Sequence, residues 1–305
     1  MNATGTLEMT PKQTISKSKN RNRFEKILRE CVYSMRIDFL SDVLVVGGSA
    51  EDGRLLHRVG FTRVTLSNLL DPRPSEQADL DDAEMRAVRV DAEAMELADN
   101  SYDLVLAHEV LHHCRSPHKA LLEMLRVSRR YVILLEPNNS IAMRLLLRLR
   151  FSFPYELPAV IASGFQTGGV HDSSIPNYIY RWNALELYQT AASYLAESEL
   201  NVFTQSYWDF NVDETELRRR SETRIGNVTK VLSPRLFLAG LRGCQAVMNR
   251  IPWLAGQGNK FFGCLQKRSQ LKPWLIRRGE EIRFDSDYTT TDLPQPPSRA
   301  GGVGS

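Results

Sequence analysis

Residues 88–138 read VRVDAEAMELADNSYDLVLAHEVLHHCRSPHKALLEMLRVSRRYVILLEPN, and this stretch decides the fold. A short strand over Ala87–Val90 runs out onto Asp91. The polar turn Asp99-Asn100-Ser101 then leads into an apolar run, Tyr102–Ala107, that breaks at His108-Glu109. Ala120, Leu121, Met124, Leu125 and Val127 recur at helical spacing. Tyr131–Leu135 is a third apolar run, stopped by Glu136-Pro137-Asn138. Strand, helix and strand at this spacing predict a right-handed βαβ unit in a parallel sheet. Ligands of such sheets sit at the carboxyl ends of the strands. Three of those ends carry Asp91, His108-Glu109 and Glu136.

Working outward, Val43–Val46 reads as a buried strand that runs into Gly47-Gly48-Ser49-Ala50-Glu51-Asp52-Gly53 and a helix over Arg54–Val59. Glycines let backbone and ligand approach closely, and a helix start offers outward N–H groups. Arg63–Leu66 is a second strand, ending on Ser67-Asn68. Phe24–Phe39 has the spacing of an amphipathic helix beside the first strand, and residues 1–20 read as disordered. Leu200–Phe210 and Lys260–Gln266 read as late strands. Residues 139–180 are too long for a plain connection and are expected to cap an acceptor pocket. Residues 211–259 read as a basic helical insertion, with Val231–Ala255 as a helical excursion, and 285–305 as a disordered tail. The remaining 21–284 form one domain.

The chain has 305 residues and a net charge of +3, unevenly placed. Asp71–Glu109 holds twelve acids against three arginines, whereas Ser221–Arg278 holds eleven Lys/Arg against Glu222. The basic half suits an anionic acceptor, or a peripheral membrane contact through 231–255. No apolar run is long enough to span a bilayer, no apolar signal core is present, and the four cysteines show no CxxC pairing. A reduced, cytoplasmic protein is expected, with no nucleic-acid partner. Oligomeric state is not legible.

His108-Glu109-Val110-Leu111-His112 matches the HExxH zinc-peptidase motif, and His118 has the spacing of a third ligand. That motif needs an unbroken helix, whereas here it follows a strand-like run. Arg115 replaces the glycine of the extended form, and Pro117 disturbs it further. The expectation is therefore no metal, with zinc peptidase kept as an alternative.

VLVVGGSAEDG, VTLSN, DAEAMELADNSYD, HEVLHHCRSPHKALLEMLRVS and VILLEPN together resemble the class I S-adenosylmethionine-dependent methyltransferases, in the small-molecule group that includes quinone-biosynthesis enzymes. The resemblance covers Asp42–Asn138. It departs at Glu51, where the third glycine of the turn belongs, and at Asn68, where an acid belongs. It implies an α/β, Rossmann-like seven-stranded sheet of order 3-2-1-4-5-7-6, with the last strand antiparallel and helices on both faces. It also implies the cofactor S-adenosylmethionine. Carried over by position, Gly47, Gly48 and Ser49 lie near its methionine part. Asn68 meets the ribose, Asp91 and Ala92 border the adenine, and His108 closes over the sulfonium side. The acceptor would be a sugar, lipid or quinone-like molecule. An oxygen nucleophile needs a base, for which His112 is the first choice, then His113 and His171. A non-catalytic binding protein on the same sheet is the other alternative. GGSAEDG does not give the GxGxxG of a dinucleotide-binding dehydrogenase.

Overall fold

The computed structural model describes residues 11–71, 74–82, 85–198, 200–210, 233–268, 270–279 and 281–288. Residues 289–305 of the predicted 285–305 tail, residues 1–10 of the predicted disordered N-terminus and residues 211–232 of the predicted insertion lie outside them.

The apolar runs form the sheet. β1 (Asp42–Val46), β2 (Arg63–Asn68), β3 (Arg86–Arg89), β4 (Tyr102–His108), β5 (Ser128–Pro137), β6 (Leu200–Tyr207) and β7 (Lys260–Lys267) pair in the order β3-β2-β1-β4-β5-β7-β6. β1 to β5 are parallel to one another, and β7 is antiparallel to both β5 and β6. Val43–Val46 and Leu104–Ala107 are buried throughout, because helices cover both faces. One face packs on α1 (Pro11–Met35) and α2 (Ala50–Val59) through Phe24, Ile27, Leu28, Leu55 and Leu56. The other packs on α4 (Pro117–Val127) and α7 (Ala184–Tyr194) through Leu121, Met124, Leu125 and Leu187. α3 (Pro74–Asp82) links β2 to β3.

α1 starts well before the predicted Phe24 and includes residues 11–20, which were expected to be disordered. No Gly or Pro follows Pro11 within it, so nothing in its sequence breaks the turns. It ends where Arg36 takes a φ of 54° and Ile37 N–H closes on the Val32 carbonyl, short of Phe39.

After β5 the chain makes α5 (Ile141–Arg148), α6 (Leu157–Ala162) and a 3-10 turn at Val170–Asp172, then returns to the sheet at Trp182. Trp182 is fully buried and bridges Asn138. The excursion predicted over Val231–Ala255 is two helices, α8 (Pro234–Met248) and α9 (Pro252–Gly256). Proline cannot continue a helix interior, and the Asn249 side chain bonds the Trp208 backbone in both directions at 2.8 Å. A hairpin, β8 (Leu275–Arg278) and β9 (Glu281–Phe284), lies outside the main sheet and was not anticipated. Among the described residues no helix is long and apolar enough to cross a membrane.

Candidate active site

The site is built at the carboxyl ends of β1, β3, β4 and β5. Gly47 leaves β1 with a φ of +62°, and a Cβ there would lie 2.6 Å from both Val110 methyls. Only glycine meets both conditions, a left-handed backbone and a close neighbour. The β1 turn therefore rests directly on the loop after β4. Asn68 Nδ2 donates to the Gly48 carbonyl at 2.8 Å, so this asparagine braces the turn and keeps Oδ1 as an acceptor.

Ser49 caps α2 in a reciprocal box: its Oγ accepts from Asp52 N–H, and its own N–H donates to Asp52 Oδ2 at 2.9 Å. Asp52 Oδ1 lies 2.9 Å from His108 Nδ1. Burial opposes the Asp52 charge, but His108 and Ser49 outweigh it and hold the carboxyl at about 2. The His108 ring also stacks on Phe24 at 4.4 Å. Two residues to which the sequence reading gave no site role, Phe24 and Asp52, therefore fix His108. The signal for Asp52 was legible as S-x-x-D at a helix start. Nothing local pointed to Phe24.

Asp91 Oδ1 accepts from Glu93 N–H at 2.8 Å, which fixes the carboxylate in an Asx turn. Its Oδ2 stands 4.0 Å from His171 Nε2. Ala92 follows, half-buried.

HEVLH does not form the peptidase helix. His108 ends β4, Glu109 turns the chain at a φ of 57°, and Leu111–His113 is a single 3-10 turn. Glu109 pairs with Lys260 at the start of β7, and His108 and His112 point to different carboxylates, Asp52 and Glu136. The physical reason is the sheet: Glu109 N–H still bonds Leu135 on β5, so the strand geometry persists into the motif.

Glu136 is the hub of this turn. It is fully buried, and its Oε1 accepts from the N–H groups of Val110 and Leu111 at 2.8 and 2.7 Å. Its Oε2 lies 2.6 Å from His112 Nδ1. Burial works against an imidazolium at His112, yet Glu136 and Glu156 override it and push the group up to about 9. His113 goes the other way, lowered by burial and by the charge of His112. Titratable neighbours driven apart in this manner mark functional sites.

Glu156, just before α6, completes the group. Its Oε2 stands 3.6 Å from His112 Nε2 and 3.4 Å from His113 Nε2, and Asn177 donates to it at 3.1 Å. Burial would raise its carboxyl, but His112, Asn177 and His113 bring it down to about 2. Sequence reading missed Glu156, although it is the one acid between Asn139 and His171. Of the three histidines predicted as catalytic, the structure joins His112 and His113 and puts His171 beside Asp91.

The glycine turn, the acid after β3 and the polar cluster after β4 and β5 lie together at the carboxyl ends of the strands, where sheets of this kind bind their ligands. Residues 48–135 match the family model of the methyltransferase domain. The matched residues run from the turn after β1 to β5, the central strands of the sheet. Among solved structures the chain is similar to a SAM-dependent methyltransferase from Thermotoga maritima at 12% identity and a TM-score of 0.41, over 81% of this chain and 97% of that one. It is similar to magnesium protoporphyrin IX methyltransferase from Synechocystis with bound SAH at 12% identity and a TM-score of 0.44, over 68% and 85%. A SAM-dependent methyltransferase from Mesorhizobium loti gives 11% identity and a TM-score of 0.41, over 75% and 91%. No curated protein matches in sequence.

Proposed function

We propose that the protein transfers a methyl group from S-adenosylmethionine to a hydroxyl-bearing small molecule, quinone-like, lipid or sugar. The observation that carries this reading is Gly47 and Asp91 at the same edge of a 3-2-1-4-5-7-6 sheet. The donor set fits the cofactor. Gly47, Gly48 and Ser49 would hold its methionine part, Asn68 Oδ1 the ribose, Asp91 Oδ2 and Ala92 the adenine, and His108 the sulfonium side. Bound there, S-adenosylmethionine supplies a methyl group on positively charged sulfur.

The protein's own contribution is alignment, which is worth most of the barrier in a two-reactant transfer. The buried Glu136 orients His112, and His112 with Glu156 orients His113. His113 is about a third exposed. It is the imidazole of this pair that meets the acceptor. Residues 139–180 supply Glu156, and the backbone of Gly169 also bonds His113, which supports their role as the acceptor cap.

Titration calorimetry with S-adenosylhomocysteine tests the cofactor half. The wild type should bind, and Asp91→Ala should bind about 5- to 150-fold more weakly, the equivalent of ~1–3 kcal/mol for a lost polar partner. Equal affinity of the two proteins would contradict the assignment of Asp91.

A further inference from the structure

We infer that His112, His113 and Glu156 form a divalent-cation site of the zinc type on the acceptor side of the pocket. The inference deepens the methyltransferase reading and rests on it for its chemical meaning. One ring nitrogen from each histidine and an oxygen of Glu156 lie within 4.8 Å of one another. The spacing is informative. Charge-assisted hydrogen bonds between nitrogen and carboxylate are about 2.7–2.9 Å long. The two nitrogen-to-carboxylate distances here are 3.6 and 3.4 Å. Ligand bonds of about 2.0–2.1 Å to tetrahedral zinc put neighbouring ligand atoms roughly 3.3–3.4 Å apart. These two distances match the edges of a coordination tetrahedron.

The surroundings fit. His112 Nδ1 is committed to Glu136 at 2.6 Å, which leaves Nε2 as the ring atom facing Glu156. A carboxylate behind a ligating histidine is the usual support of a zinc-bound imidazole. The two consecutive histidines, in the 3-10 turn Leu111–His113, bring their rings together, with centroids 4.6 Å apart and planes 36° from parallel. Two nitrogens and one carboxylate suit zinc and other transition ions better than magnesium. Three protein ligands with an open side make a catalytic type of site, and His113 and Glu156 are each about a third exposed, at 36% and 35%. An acceptor hydroxyl taking the open position would bind as its oxyanion, its proton leaving to solvent. This is not the HEVLH arrangement, because His108 takes no part. It also departs from the sequence expectation of no metal.

The test is calorimetric titration of chelator-stripped full-length protein with zinc chloride. Wild type, His113→Ala and Glu156→Gln are compared, and each is titrated separately with S-adenosylhomocysteine. Both variants change side chains about a third exposed, and thermal unfolding verifies that each is folded. The expected result is one zinc per wild-type chain, binding at least about 100-fold weaker in either variant, and unchanged S-adenosylhomocysteine affinity in all three. Zinc should also raise the unfolding temperature of the wild type and not of the variants. Absence of zinc binding by folded wild type, or equal binding by a folded variant, overturns the inference. Zinc binding without S-adenosylhomocysteine binding would instead overturn the methyltransferase reading and leave the cation site standing.

Discussion

Glu136→Ala should lower the stability of the protein by about 3–5 kcal/mol, the cost of breaking a buried charge pair by removing one partner. Glu136 is 0% exposed and satisfies three groups at once: the N–H groups of Val110 and Leu111 and Nδ1 of His112. Alanine would strand all three in the interior and leave His112 without its counter-charge. The damage would spread, because Val110 is the residue on which Gly47 rests. Glu136→Gln keeps the volume and one carbonyl acceptor, so its cost should be smaller. Urea unfolding of the three proteins checks the order. A loss under about 1 kcal/mol for the alanine variant, no more than one ordinary hydrogen bond is worth, would mean that the hub is not formed as described.

His113→Ala should lower methyl transfer from labelled S-adenosylmethionine by about 10²–10⁴-fold, the range found for groups that act on the reacting proton. The imidazole is the more exposed of the pair, and in the proposed reaction it meets the acceptor directly or through a cation. Because the side chain is about a third exposed, stability should change little, within about 1 kcal/mol. Affinity for S-adenosylhomocysteine should not change, since its expected contacts lie at Gly47, Asn68 and Asp91. Transfer within threefold of wild type would remove His113 from the chemistry.

The sheet was legible because its strands are buried on both faces and read as unbroken apolar runs. Val43–Val46, Leu104–Ala107 and Tyr131–Leu135 needed no tertiary information. Strand order came from the resemblance, and the observed pairing agrees with it. Of the candidate site, what was legible is position: Gly47, Asp91 and His108 stand at or just after strand ends, as the apolar runs implied. Glu156 was not legible, because no periodic pattern links it to His112. It arrives through an irregular excursion pinned by the Tyr155–Tyr178 and Asn138–Trp182 bridges. HEVLH misleads for a related reason. The spacing of a motif says nothing of backbone geometry, and here the sheet pairing of Glu109 with Leu135 decides it. The division of labour between His112 and His113 depends on Glu136 and Glu156, which meet them only in the folded chain.

The central claim is that the β1 turn and the segment after β3 hold S-adenosylmethionine while the histidine pair faces the acceptor. Amide hydrogen exchange with and without S-adenosylhomocysteine tests it most directly, since bound ligand stabilises the local structure it touches. The account predicts added protection at residues 47–53 and 91–95, and little change at 156–165. Unchanged exchange at both 47–53 and 91–95 under saturating S-adenosylhomocysteine, or protection confined to the cap, would contradict it.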